Sequence, residues 1–114
     1  MDKDCLSLII VIKIPQFKHK EFLQTMFSIV SDIRLEEGCL MYRIHKDVEI
    51  EDLIMLEMEW GSKDAIERHL QSKNFRIILG AMKTLSTIPV IKIRDISPFQ
   101  EDGFVRSLEN RMKY

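Results

Sequence analysis

The chain has 114 residues, of which 46% are hydrophobic and 31% charged, with a formal net charge of -1. This is the composition of one folded domain and excludes a disordered or low-complexity chain. The near-neutral balance lacks the cationic surface that would neutralise a row of phosphates, so nucleic acid is not expected as a partner. The apolar run Leu8 to Ile12 is too short for a membrane span or a signal-peptide core, which points to a cytoplasmic protein without a membrane partner. In a reducing compartment, Cys5 and Cys39 read as two buried thiols without a bridge.

In chain order, Leu6, Leu8, Ile10, Ile12 and Ile14 alternate with Ile9 and Val11, a strand whose two faces both need cover. From Lys18 the period becomes helical through Phe22, Met26, Ile29, Val30 and Ile33, and Glu36-Glu37-Gly38 supplies a terminating glycine. Residues 39–48 form a second strand, 47–52 an acidic turn, and 53–60 a returning strand with Ile54, Leu56, Met58 and Trp60 on one face. Ser62 and Ser72 are placed to cap two short helices, the second carrying Phe75, Ile78, Leu79, Met82 and Leu85. Pro89 leads into a last strand, 90–97.

The order strand, helix, strand, strand, helix, strand predicts an α+β, ferredoxin-like split βαββαβ fold: a four-stranded antiparallel sheet with helices on one face. The other face is expected to meet a second copy, making a homodimer. Residues 1–98 form this domain. Residues 99–114 form a C-terminal tail in which Phe104, Leu108 and Met112 make one apolar edge of a short helix, docking on its own domain or on the partner.

His19, His45 and His69 match no metal signature, neither cysteine lies in a CxxC pair, and the four glycines are scattered singly, so no metal site, phosphate-cradling loop or dinucleotide fingerprint is expected. The strand beginning at Cys39 divides its polar residues by alternation. Tyr42 shares a face with Leu40 and Ile44, while Arg43 and His45 point the other way with Cys39 and Met41, where Glu57 or Glu59 lies across the hairpin. A buried Tyr42 hydroxyl calls for a ligand or a backbone group. His69 falls on the inward face of its helix, three residues after Ile66 and against Trp60. There it is either a general base or a core histidine satisfied by a backbone carbonyl. Met26, Met58 and Met82 lie on the core stripes, where methionine fills gaps or lines adaptable apolar pockets.

The run Gly38-Cys39-Leu40-Met41-Tyr42, the acidic turn Glu49-Ile50-Glu51-Asp52, the pair Glu59-Trp60, and His69-Leu70 followed by Ser72 and Phe75 resemble the antibiotic biosynthesis monooxygenase domain family over residues 6–97. The resemblance implies a dimeric α+β barrel with an apolar cavity between sheet and helices. It also implies a cofactor-independent monooxygenase acting on a small apolar or aromatic molecule of phenolic or quinol type. The alternative is a non-catalytic small-molecule-binding or stress-related protein on the same fold. Trp60 and His69 match cavity positions. His69 is the candidate catalytic residue, and Trp60, Tyr42, Met58, Phe75 and Leu79 are the candidate substrate-binding residues. The haem-degrading branch of the family does not match, because Leu79 stands where its iron-ligating histidine would be and Cys5 to Ile14 contains no asparagine.

Overall fold

The computed structural model describes residues 5–85 and 88–96. Strand β1 (Cys5–Lys13) leads through a 3-10 turn (Gln16–Lys18) into α1 (His19–Arg34), followed by β2 (Cys39–Lys46), β3 (Leu53–Trp60), α2 (Lys63–Leu70), α3 (Lys73–Thr84) and β4 (Val90–Ile96). The sheet order is β2-β3-β1-β4 with every neighbouring pair antiparallel. This is the expected ferredoxin-like arrangement, with its second helix broken in two. The tail predicted for residues 99–114, with Phe104, Leu108 and Met112, lies outside the described residues, as does Ser97.

Alternation decides which side of the sheet is covered. Leu8, Ile10 and Ile12 of β1 stand directly opposite Met58, Leu56 and Ile54 of β3, and all six are fully buried. Phe22, Met26, Ile29 and Ile33 of α1, Ala65 and Ile66 of α2, and Phe75, Ile78 and Met82 of α3 complete that core. Each fully buried aliphatic side chain contributes about 2 kcal/mol against the chain entropy lost on folding. The opposite face carries Ile9, Val11, Met41, Leu53 and Met55, all partly exposed. His45 bonds Glu57 on that face at 2.8 Å, the cross-hairpin pairing expected from their positions.

Several sequence expectations change, most of them around β2. Helix α1 stops at Arg34 rather than running to Gly38, and Leu35 to Gly38 form a turn in which the Glu36 N–H donates to Ile33 O and the Cys39 N–H to Glu36 O, both at 3.0 Å. Consecutive acidic side chains are unfavourable at the negative end of a helix dipole, and here Glu36 turns inward instead. β2 then starts with a bulge between Cys39 and Met41, so Cys39 stands opposite Trp60 and packs against the core instead of sharing the open face with Met41, Arg43 and His45. Both thiols are free and only half-buried, because Cys5 opens its strand and Cys39 follows the turn. β2 ends at Lys46, two residues early, because the Asp47 carboxylate accepts the N–H groups of Glu49 and Ile50 and bends the chain away.

Gly38 has φ of +87°. A Cβ there would also run into the Cβ of Ala65 on α2, so this position needs glycine both for its backbone and for its contact. Gly38→Ala is expected to lower the melting temperature by about 5 °C or more. Gly61→Ala, whose Cβ would meet only ordinary van der Waals neighbours, is the control and should leave the melt nearly unchanged.

Candidate functional site

Ser62 caps α2 by accepting the Ala65 N–H at 3.1 Å, which sets the helix running back over the end of β3. Ala65, Ile66 and His69 form its buried face. The next cap follows at once. Ser72 accepts the Phe75 N–H at 3.1 Å, while its own hydroxyl and N–H donate to the His69 carbonyl at 2.6 and 2.9 Å. The backbone of His69 is therefore fixed by the joint between α2 and α3.

The imidazole is fully buried. It stacks on Trp60 with ring centroids 4.5 Å apart and an interplanar angle of 27°, and meets Phe75 edge-on at 5.4 Å. Its Nδ1 lies 2.9 Å from Glu36 Oε1, and the other carboxylate oxygen accepts from Asn74 Nδ2 at 2.8 Å. A carboxylate only accepts, so Nδ1 carries the hydrogen. Among the described residues, Nε2 has no hydrogen-bond partner, and neither have the buried Trp60 Nε1 and Tyr42 hydroxyl.

Burial pushes the His69 pKa below its ordinary value, with the Glu36 carboxylate acting in the opposite direction. Neutral at pH 7, the ring offers a lone pair at Nε2. Tyr42, opposite Met58 in the sheet register, is pushed up to about 12 by burial, only partly offset by Arg34, and so keeps its proton.

The structure brings His69, Trp60 and Phe75 into direct contact and places Met58 and Tyr42 on the same buried side of the sheet. Leu79 does not join them: it is 42% exposed, because α3 turns Phe75, Ile78 and Met82 inward and leaves Leu79 beside that stripe. The histidine is held by a carboxylate rather than the backbone carbonyl considered for a core residue. Glu36 and Asn74, the groups that hold it, carry no periodic signal and lie 33 and 38 residues from their partners. The clue that could have found Glu36 is its unfavourable place after a helix C-terminus.

A groove of about 480 Å³ opens between α2 and β4, with Leu6, Ile66, Leu70 and Ile93 among its walls. Leu6 stands opposite Trp60 in the register and Ile66 is one turn before His69, while the stacked rings themselves are fully buried and do not line the groove. Among the described residues no three His, Cys, Asp or Glu side chains come together as a metal site, and no helix is long and apolar enough to cross a membrane.

The fold is shared with many solved structures. A conserved protein from Methanosarcina mazei Go1 superposes with a TM-score of 0.74 at 21% identity, covering 80% of this chain and 91% of its own. A "putative antibiotic biosynthesis monooxygenase" from Caulobacter crescentus CB15 gives 0.75 at 22% identity over 82% and 91%. A protein from Pseudomonas aeruginosa gives 0.68 at 24% over 83% and 94%. No curated protein matches the sequence. The model of the antibiotic biosynthesis monooxygenase family matches residues 6–79, a span that runs from the first core residue of β1 through Trp60 and His69 to the middle of α3. On that match the chain belongs to the antibiotic biosynthesis monooxygenase family.

Proposed function

We propose that the protein is a cofactor-independent monooxygenase of a small aromatic substrate, phenolic or quinol in type, with His69 as proton acceptor. The observation that carries this reading is the state of His69: buried, neutral, its Nδ1 tied to a carboxylate, and its Nε2 lone pair without a partner among the described residues. A phenolic O–H brought to Nε2 would lose its proton there, and the resulting anion is the electron-rich species that can reduce dioxygen. The four electrons come from the substrate; one oxygen atom stays in the product and the other leaves as water. Trp60, Phe75 and Met58 would supply flat, apolar contact and keep water away, while Tyr42 would donate a hydrogen bond. The groove between α2 and β4 is the entrance that best fits this reading, since its walls include Leu6, the cross-strand neighbour of Trp60, and Ile66, one turn before His69. The working unit in this proposal is a homodimer, because the open sheet face leaves Ile9, Val11, Leu53 and Met55 only partly covered.

Oxygen uptake with a panel of quinols, in chelator-treated and flavin-free protein, tests the assignment. Turnover is expected, and His69→Ala should lower it about a hundredfold while the variant still melts cooperatively. Unchanged turnover in a folded His69→Ala variant would remove the base assignment, and binding without oxygen uptake would make the protein a non-catalytic small-molecule binder.

Stability should follow pH in a defined direction. The folded-state pKa of His69 is depressed from 6.5, so its contribution is fully present above about pH 6.5 and is lost as pH falls through the lower folded-state value, the unfolded chain taking up the proton first. Urea denaturation between pH 8 and pH 5 is expected to show a smaller loss in His69→Ala than in the parent chain.

Light scattering at micromolar concentration should give the mass of two chains. A stable monomer would overturn the dimer.

A further inference from the structure

Neutral histidine presents a lone pair at only one ring nitrogen, and which one is set by what the other nitrogen bonds. In this site the decision is made outside the helix that carries the ring. We infer that Glu36 is the positioning residue of the site, selecting the Nδ1–H form of His69 and steadying the ring once Nε2 has taken a proton, with Asn74 as the anchor of its carboxylate. The inference rests on the reading of His69 as proton acceptor and deepens it.

Both oxygens of Glu36 are used. Oε1 accepts from His69 Nδ1 at 2.9 Å and Oε2 from Asn74 Nδ2 at 2.8 Å, with the Glu36 side chain 18% exposed. Its backbone is held as well, through the bonds from Glu36 N–H to Ile33 O and from Cys39 N–H to Glu36 O, and through Gly38, whose carbonyl accepts the Gly61 N–H at 2.8 Å. Gly38 also lies directly against Ala65, one turn before His69 on α2. The turn after α1 is thus clamped to the helix that carries the imidazole, and the carboxylate has one place to be.

The chemistry follows from that geometry. A carboxylate cannot donate, so a ring bonded to it through Nδ1 must carry its hydrogen there and leave Nε2 free to accept. When Nε2 receives a proton, the imidazolium forms in a buried layer where an unpaired charge would be costly. Glu36 supplies the opposite charge already in place, the role a carboxylate plays in the serine hydrolase triad without itself taking the proton. The aromatic rings packed against the imidazole are Trp60 from β3 and Phe75 from α3, neither of them charged. Among the described residues Glu36 is the ionisable side chain bonded to it.

The test combines a resting-state readout with turnover. Nitrogen-15 NMR of the imidazole is expected to show His69 in the Nδ1–H form in the parent protein. In Glu36→Leu, which keeps the bulk and removes the acceptor, the Nε2–H form should appear and the titration of His69 should move to lower pH. With a quinol substrate, Glu36→Leu should lower kcat by about tenfold or more with little change in KM, and the acidic limb of the rate profile should move down with the titration. Asn74→Leu, which frees the carboxylate without removing it, should keep the Nδ1–H form and lose less of kcat. A Glu36→Leu variant that melts cooperatively and retains the Nδ1–H form would overturn the inference. Should Glu36→Leu shift the tautomer while His69→Ala keeps full turnover, the positioning role of Glu36 stands and the base assignment of His69 falls.

Discussion

The bond between Glu36 and His69 joins the turn after α1 to α2 at the border of the apolar layer, and much of the local architecture is arranged around it. A polar group withdrawn from water costs a few kcal/mol unless its hydrogen bonds are replaced. Here one bond is replaced by a carboxylate that is itself anchored to α3 through Asn74, so the end of α1, α2 and the start of α3 are tied at a single point. The shortened α1, the positive-φ glycine and the close contact of Gly38 with Ala65 all serve to bring that carboxylate under the imidazole. Ser72 does the complementary work from the other side, holding the His69 carbonyl and starting α3 with the same hydroxyl.

The sheet supplies the rigid floor. β1 and β3 lie in its centre, and their paired apolar residues leave little freedom for Trp60, which ends β3 opposite Leu6 and Cys39. The edges are treated differently. On β2, Arg34 donates to the outward carbonyl of Tyr42 at 2.8 Å, which removes an acceptor from an exposed edge and fixes the strand to the end of α1. On β4, the side facing the helices is only partly covered, and Ile91 and Ile93 remain 43% and 49% exposed. That incomplete cover leaves the groove beside α2, which Ile93 of β4 helps to line.

Tyr42 and His69 show how one buried environment sets opposite roles. Desolvation penalises the charged form of each, so the phenol pKa rises and the imidazole pKa falls, and both are neutral at pH 7. A phenol that keeps its proton donates; an imidazole that lacks its second proton accepts. Among the described residues, of these two groups only the imidazole has a carboxylate bonded to it, so a new positive charge there is met by a nearby negative one.

The architecture was legible from local pattern. Period-two alternation in residues 6–14 and 53–60, helical spacing from Phe22 to Ile33, and serines 62 and 72 ahead of apolar stripes each express an interaction between near neighbours in the chain, and the structure reproduces them. The placement of His69 against Trp60 was legible for the same reason, since a short capped helix following a strand folds back over that strand's last residues. What the sequence could not express was contact between residues far apart in the chain. Only the tertiary structure decided that Glu36 turns inward to His69 and is anchored by Asn74, that a bulge moves Cys39 to the core side, and that Leu79 falls outside the cluster. Each of these depends on how one packed element meets another, and periodicity along a single element carries no record of the neighbour it will touch.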